Sequence, residues 1–534
     1  MKIRSSWSWM SVLLLTAVAA SACGTKTDTG TTASSAPSVK PSEAAKKEKV
    51  SLTWFVNAPN NAQLPSADKD FVKQAIESKF NVDLKLIYMA TGPDYTSKLN
   101  TMIASGDIPD VFYSDGLESV KYIKDGVARD LTGLVTPAAM PNYFKYWVKE
   151  DEVKRYQALG VFKRAPIPFP KTMARSYYVR KDWLDKLNLK MPETYEDMVA
   201  VMKAFTEKDP DGNGKNDTYG FSASGNGASL SQDFPEIIKN GLVGDFMLDG
   251  NQFVDVRTDL RMQKVLDDIR KVMDMKIIDP DWLLNKGSQH LEKAQQGKVG
   301  IVLANGLDYA YDNNANGLQV KTKAVTGDQK ADWQPFHIAA KTGVWYEPLP
   351  LNPFLLSSKS SDEKAKRSIE ILDWLASEEG FLLAKYGKEG VHYKRSGNKI
   401  EPIADAYKKD ITDNGNFLTI YSWFVQSEAK QLGLDVIDPN MTERDKAIAA
   451  KILSYKLIPS YGTSLVVKEG MDLASLRKKM SEYHVEILFK EKDASKWPQM
   501  RQELMDKFGG KAIFDYYAEQ VSSAFGKPIT FRNN

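Results

Sequence analysis

Cysteine is almost absent. Cys23 is the only one in 534 residues, so no disulfide can form within the chain and no multi-cysteine metal centre can be built. Histidine is nearly as scarce: His290, His337, His392 and His484 lie far apart, without a His-Glu-x-x-His spacing, which leaves zinc chemistry no pattern to rest on. An excess of one charge is missing as well. Lys and Arg number 72 against 69 Asp and Glu, whereas a nucleic-acid protein needs a dense basic face. There is no Gly-x-x-x-x-Gly-Lys-Ser/Thr loop to cradle a nucleotide's phosphates, so the chain is not expected to hydrolyse ATP. No repeat of fixed period occurs, which argues against a solenoid or propeller. Beyond residue 22 no run of 18 apolar residues is found, and a membrane-spanning helix needs roughly 20.

What is present is the composition of a folded body, 42% hydrophobic and 26% charged, long enough for two large domains or three ordinary ones. The chain begins with Lys2 and Arg4, then an apolar run over residues 9–20, then Ala20-Ser21-Ala22-Cys23. The run is too short to span a bilayer but suits a signal peptide. It resembles a bacterial lipoprotein signal, which implies that residues 1–22 are removed and that Cys23 carries lipid, palmitate included, as the mature N-terminus. Losing that leader lowers the net charge from +3 to +1. Residues 23–50 are rich in Thr, Ser, Ala and Lys and contain no aromatic. They read as a flexible tether that holds the body off a membrane surface.

From Ser51 onward, strand and helix patterns alternate. Residues 51–56, 82–89 and 110–113 read as strands, 67–80 and 95–105 as helices. The pattern returns with a strand at 299–303, a strand-like run at 348–357 and a helix at 362–377. This predicts an α/β fold with mostly parallel, doubly wound sheets. Ligands of such sheets sit beyond the strands' carboxyl ends. The candidate positions are therefore Asn57, Tyr113 to Asp115, and Asn305 to Tyr309, which include Asp308.

The strongest motif is Asp209-Pro-Asp211-Gly-Asn213-Gly-Lys215-Asn-Asp217. Oxygen-bearing side chains at alternate positions, hinged on glycines, suit a hard cation that takes six to eight oxygens. Asp209, Asp211, Asn213 and Asp217 would supply side chains and Lys215 its carbonyl. The twelfth position, a bidentate Glu in a calcium sensor loop, is Gly220, and Tyr219-Gly220-Phe221 leads out as a strand. A structural calcium ion is expected, not a switch.

Upstream stand Tyr177-Tyr178-Val179-Arg180-Lys181-Asp182-Trp183-Leu184 and Pro192-Glu193-Thr194, and downstream Tyr386-Gly387-Lys388-Glu389-Gly390-Val391-His392-Tyr393. With Cys23 and the calcium loop, these segments resemble the extracellular solute-binding lipoproteins of family 1, the sugar-capturing subunits of ABC importers in Gram-positive bacteria. The subgroup most similar is the oligosaccharide-binding type represented by calcium-containing alginate-binding proteins. The resemblance implies a periplasmic-binding-protein-like fold of type II: an N-lobe of 51–168 with 354–410, a C-lobe of 169–353 with 411–534, and a hinge between them. It adds Thr218 as a side-chain ligand to calcium. It further implies a monomer on the outer face of the cell membrane that passes an oligosaccharide to a permease.

A sugar needs aromatic faces to stack on and a rim of hydrogen-bonding partners. Stacking is assigned to Tyr113, Tyr309, Trp282, Trp345 and Trp423, and hydroxyl recognition to Asn57, Asp115, Asn305 and Asp308. Other readings remain: a sensory or structural lipoprotein of the same fold, or a non-sugar ligand such as a peptide. Ser66-x-x-Lys69, Ser114-Asp115-Gly116 and Lys341-Thr342-Gly343 follow the order of the penicillin-recognising serine enzymes. However, Ser-x-x-Lys recurs at Ser361, Ser427 and Ser475, and Gly116 stands where that motif has Asn. A glycoside hydrolase needs two facing carboxylates, and nothing in the sequence singles out a pair.

Overall fold

The computed structural model describes residues 48–533 with the exception of Leu351. The leader, Cys23 and nearly all of the tether lie outside the described residues. Among those described, the strands form four sheets, two of which carry the architecture.

The first sheet has the spatial order Val82–Met89, Val50–Asn57, Val111–Tyr113, Pro353–Leu356, Ala165–Pro166. Its first three strands are parallel, and Pro353–Leu356 runs antiparallel to both of its neighbours. Parallel neighbours require crossovers, supplied here by the helices Phe71–Phe80 and Pro93–Ser105. The first of these starts later than its apolar pattern suggests, because Asp70 caps it by accepting the Lys73 N–H at 3.0 Å. It ends at Asn81, whose φ of 49° is left-handed. The run 348–357 contracts to Pro353–Leu356. Pro348 and Pro350 have no N–H to give a ladder.

The second sheet has the order Trp333–Phe336, Ser176–Arg180, Val299–Ala304, Tyr219–Phe221. Ser176–Arg180 is antiparallel to both neighbours, and Val299–Ala304 is parallel to Tyr219–Phe221. The helix Tyr195–Glu207, capped by Thr194 and Asp197 in a capping box, packs beneath it. Gly220 makes that approach possible, since a Cβ there would fall 2.3 Å from the Met202 Cα.

Both sheets are covered on both faces, as doubly wound sheets must be. Trp54 and Val56 enter one core while Phe55 between them enters another. Tyr177 and Val179 likewise part from Tyr178. The main core of the first sheet draws on residues from Val50 to Ile167 and from Phe354 to Leu434. That of the second draws on Tyr177 to Leu349 and Tyr461 to Phe531. The chain thus passes between the cores three times. The first two passages fall between Ile167 and Tyr177 and between Leu349 and Phe354. The third falls later than 410, because Ile411, Phe417, Leu418, Tyr421 and Phe424 pack into the first core.

Candidate ligand cleft and calcium loop

Polar and aromatic side chains gather where the strands of both sheets end. At the end of Val111–Tyr113, the half-buried Tyr113 ring meets Trp423 edge to face, 5.5 Å between centroids. Asp115 follows, with Oδ1 3.3 Å from Nη1 of Arg164. Arg164 is fully buried. Its remaining donors reach the Tyr156 carbonyl (3.1 Å) and Ser464 Oγ (2.9 Å), and its guanidinium lies over the Tyr156 ring. Burial pushes the Asp115 carboxyl up against the pull of Arg164. Burial, then the charge of Asp115, raises the Tyr113 phenol to about 12. Both effects mark a partly desolvated pocket wall.

On the second sheet the antiparallel pairing of Ser176 with Ala304 sets the residues just beyond them, Arg175 and Asn305, side by side. Arg175 Nη1 donates to Asn305 Oδ1 at 2.9 Å. Its Nη2 donates to the Gln232 carbonyl (3.1 Å) and to Asp233 Oδ1 (3.2 Å). The guanidinium stacks 4.3 Å from the centre of the half-buried Trp345 ring. Arg175, 6% exposed, thereby fixes the half-buried indole, whose ring also lies 5.3 Å from that of Tyr346. Burial, with Arg175 adding to it, pushes the neighbouring His337 down to about 3.

The other expected ligand residues are dispersed. Asn57 Oδ1 accepts the Thr91 N–H at 2.7 Å, tying the loop after its strand. Asp308 is exposed and accepts from Asn314 Nδ2 at 3.0 Å, and the half-buried Tyr309 ring tilts toward Tyr178, 6.3 Å away. Trp282 is a correction. It is 1% exposed, packed against Phe234 at 4.7 Å and Phe489 at 6.0 Å, so its ring is core and has no face to offer. Sequence reasoning missed Arg164, Arg175 and Asp233. A basic residue directly before the buried run Ser176–Arg180 was the available signal for Arg175.

The loop from Asp209 is wound by left-handed Asp209, Gly212 and Gly214. Asp209 accepts the N–H groups of Gly212, Asn213 and Gly214 at 2.9–3.0 Å. The Asn213 amide bridges Asp211 (2.9 Å) and Asp217 (3.0 Å), and the Lys215 N–H reaches Asn213 Oδ1. Burial, a hydrogen bond shared with Asp209, and the charges of Asp209 and Asp217 push the Asp211 carboxyl up. Among the described residues no three His, Cys, Asp or Glu side chains are arranged as a metal cluster. The donor chemistry nonetheless fits a hard cation: three carboxylates, one amide oxygen and a main-chain carbonyl on one glycine-hinged turn. Thr218 does not belong to that set. It is 2% exposed and its hydroxyl donates inward to the Phe205 carbonyl at 2.6 Å.

The serine-enzyme constellation does not assemble. Ser66 lies in an exposed segment, Lys69 donates to Asn414 at 3.0 Å, and Lys341 is exposed near Glu193.

Two α/β bodies joined by three passages, each presenting an arginine-braced polar and aromatic group at its strand ends, define a two-lobed solute-binding architecture. The family model described as bacterial extracellular solute-binding protein matches residues 58–380, and the chain belongs to that family. It is 24% identical over 417 residues to the polygalacturonan/rhamnogalacturonan-binding protein YtcQ of Bacillus subtilis, spanning 76% of this chain and 78% of that one. Its fold is similar to that of an HMO binding, ABC-transporter associated solute binding protein from Bifidobacterium longum infantis (TM-score 0.67, 17% identity, 90% of this chain and 99% of that one). It is also similar to the alginate-binding protein AlgQ2, solved without calcium ion (TM-score 0.61, 17% identity, 91% and 100%).

Proposed function

We propose that this protein is the extracellular capture subunit of an ABC importer. It is held to the cell membrane through lipid on Cys23, takes an oligosaccharide between its lobes, and delivers it to the permease without covalent chemistry. The lobes comprise 51–168 with 354–437, and 169–353 with 438–534. The observation that carries the reading is the pairing at the strand ends. Tyr113 and Trp423 stand beside Asp115 and Arg164, and Trp345 stands beside Arg175 and Asn305. Rings that stack on a pyranose face next to groups that satisfy its hydroxyls are what sugar binding asks for. A relative that binds polygalacturonan and rhamnogalacturonan supports the same reading.

Calcium belongs to this proposal as a structural ion held by Asp209, Asp211, Asn213, Asp217 and the Lys215 carbonyl, stiffening one lobe away from the ligand. A relative in fold whose calcium-free form has been solved supports it.

The test is calorimetry and thermal shift of the mature chain against neutral and acidic oligosaccharides. A saturating ligand that binds only the native state stabilises it by mass action, about 2.7 kcal/mol at a hundredfold excess over Kd. A shift with one saccharide class, lost in Trp345→Ala or Trp423→Ala, is the expected result. Silence toward every saccharide together with a response to peptides would move the reading to a peptide binder. Silence toward both would favour a sensory or structural role.

A further inference from the structure

Asparagine followed directly by glycine occurs six times, at Asn213, Asn226, Asn240, Asn305, Asn316 and Asn414. The pair has a chemistry of its own. Glycine has no Cβ to shield its nitrogen, so that nitrogen can close on the side-chain amide carbon before it and form a ring. An N–H already committed to a hydrogen bond must first be released, which costs free energy.

In five of the six pairs the glycine N–H is committed. Gly214 donates to Asp209 Oδ2 at 3.0 Å. Gly227 donates to the Leu283 carbonyl at 2.7 Å, Gly241 to Ile238 and Gly317 to Asn314 at 3.0 Å, and Gly415 to Thr412 at 3.3 Å. Gly306 is the exception, since its N–H has no acceptor among the described residues. Its carbonyl accepts from the Tyr178 hydroxyl at 2.8 Å. The main-chain N–H groups of Leu307, Asp308 and Tyr309 find no acceptor among the described residues either, so the turn after the strand Val299–Ala304 is lightly held.

The side chain ahead of Gly306 is prepared as well. Asn305 is exposed to water, and its Oδ1 accepts from Arg175 Nη1 at 2.9 Å. A guanidinium has donors only, so the amide oxygen and not its nitrogen faces Arg175. That guanidinium is itself fixed by the Gln232 carbonyl, Asp233 and the Trp345 ring. A buried positive charge therefore stands where negative charge would gather during attack on Asn305 Cγ. Asn305 Nδ2 donates to no described residue and is free to leave. By contrast, the amide nitrogens of Asn213, Asn240 and Asn414 are all tied.

We propose that Asn305 is a self-modification site. The Gly306 nitrogen, giving its proton to water, bonds to Asn305 Cγ while the amide oxygen takes up negative charge against Arg175. The bond from Cγ to Nδ2 then breaks, and the nitrogen leaves as ammonia with a proton taken from water, which closes a cyclic imide. Water adds to either imide carbonyl and opens the ring, leaving aspartate or isoaspartate at 305. The net change consumes one water and releases one ammonia. A neutral hydrogen-bonding group beside Arg175 is thereby exchanged for a carboxylate. What this does to saccharide affinity rests on the capture reading, whereas the modification itself does not.

The experiment is peptide mapping by mass spectrometry of the full mature chain, sampled over weeks in neutral buffer. Asn305 should convert at least about fivefold faster than any other Asn-Gly pair, with aspartate and isoaspartate both found and ammonia released in step. In denaturant this order should vanish, because the committed glycine N–H groups are then freed. Asn305→Gln, whose longer side chain closes such a ring far less readily, should lose the event and leave the remaining pairs at the parent's rates. Another pair converting as fast as Asn305 in the folded chain would overturn the proposal. So would Asn305 remaining an amide after another pair has converted, or the same order persisting in denaturant.

Discussion

Trp282 is enclosed by Phe234, Phe489 and the rest of the second core, with no hydrogen-bond partner for its indole N–H. Trp282→Ala should therefore act on stability, lowering it by about 3–5 kcal/mol in a denaturant titration. Trp345→Ala and Trp423→Ala, whose rings are only half-buried, should cost less stability than that and in addition weaken saccharide binding by roughly tenfold, about 1.4 kcal/mol, in calorimetry. All three tryptophans stand in loop-like sequence, and what separates them is cover supplied by residues far away in the chain. The arginines were illegible for a related reason. Arg175 meets Asn305 only because two strands pair antiparallel across about 130 positions, the separation of that hydrogen bond being 130.

Glu236 offers a pH test at the same scale. It is fully buried, and Tyr195 donates to Oε1 at 2.8 Å while Oε2 finds no partner. Burial, opposed by the Tyr195 hydrogen bond, raises its carboxyl to about 7 from 4.5. The folded state thus holds a proton that the unfolded state releases above pH 4.5. The stability linked to this group is whole below pH 4.5 and drains away as pH rises to about 7. Glu236→Gln should remove that dependence and gain up to about 3 kcal/mol at pH 8, read as a flatter plot of unfolding free energy against pH.

At the scale of the element, the glycine-hinged turn from Asp209 is the best case of local information sufficing. Glycines, carboxylates and the capped helix before them all lie within one stretch, so the turn could be read without tertiary knowledge. What the stretch could not tell was why its twelfth position is glycine. The strand Tyr219–Phe221 lies so close to the helix Tyr195–Glu207 that a side chain at 220 would collide with the Met202 backbone. Gly220→Ala should destabilise the protein by about 1–3 kcal/mol or more, seen as a lower urea midpoint with or without calcium. Asp211→Ala should instead abolish the rise in melting temperature that calcium gives the parent, with sugar affinity nearly intact. A parent that shows no difference between calcium and chelator would end the structural-ion reading. The alternation of strands and helices was also legible, but the strand directions were not: Ser176–Arg180 and Pro353–Leu356 run antiparallel to their neighbours, so both sheets are mixed and not mostly parallel. The proline-rich run before Phe354 misled only in length.

At the scale of the whole molecule, two bodies joined by passages should close on ligand. Small-angle scattering of the mature chain should show a smaller radius of gyration with bound oligosaccharide, and an unchanged radius would argue for a rigid cleft. The sequence hid the third passage because the apolar positions between Ile411 and Leu434 are patterned like those of any core segment. Which core it joins depends on a partner surface completed by Phe354 to Leu382.

That shared ownership bears on how the protein is made. The first core is unfinished until Leu434 is available, although it opens with Val50, and the second core waits for Phe531. A chain emerging from its amino end must keep Trp54, Trp147 and their neighbours unsatisfied while the first part of the other lobe, Tyr177 to Leu349, is still being produced. With no cysteine pair to hold an early intermediate, neither core can close until its late segments are available, so the two lobes should fold late and close together in time.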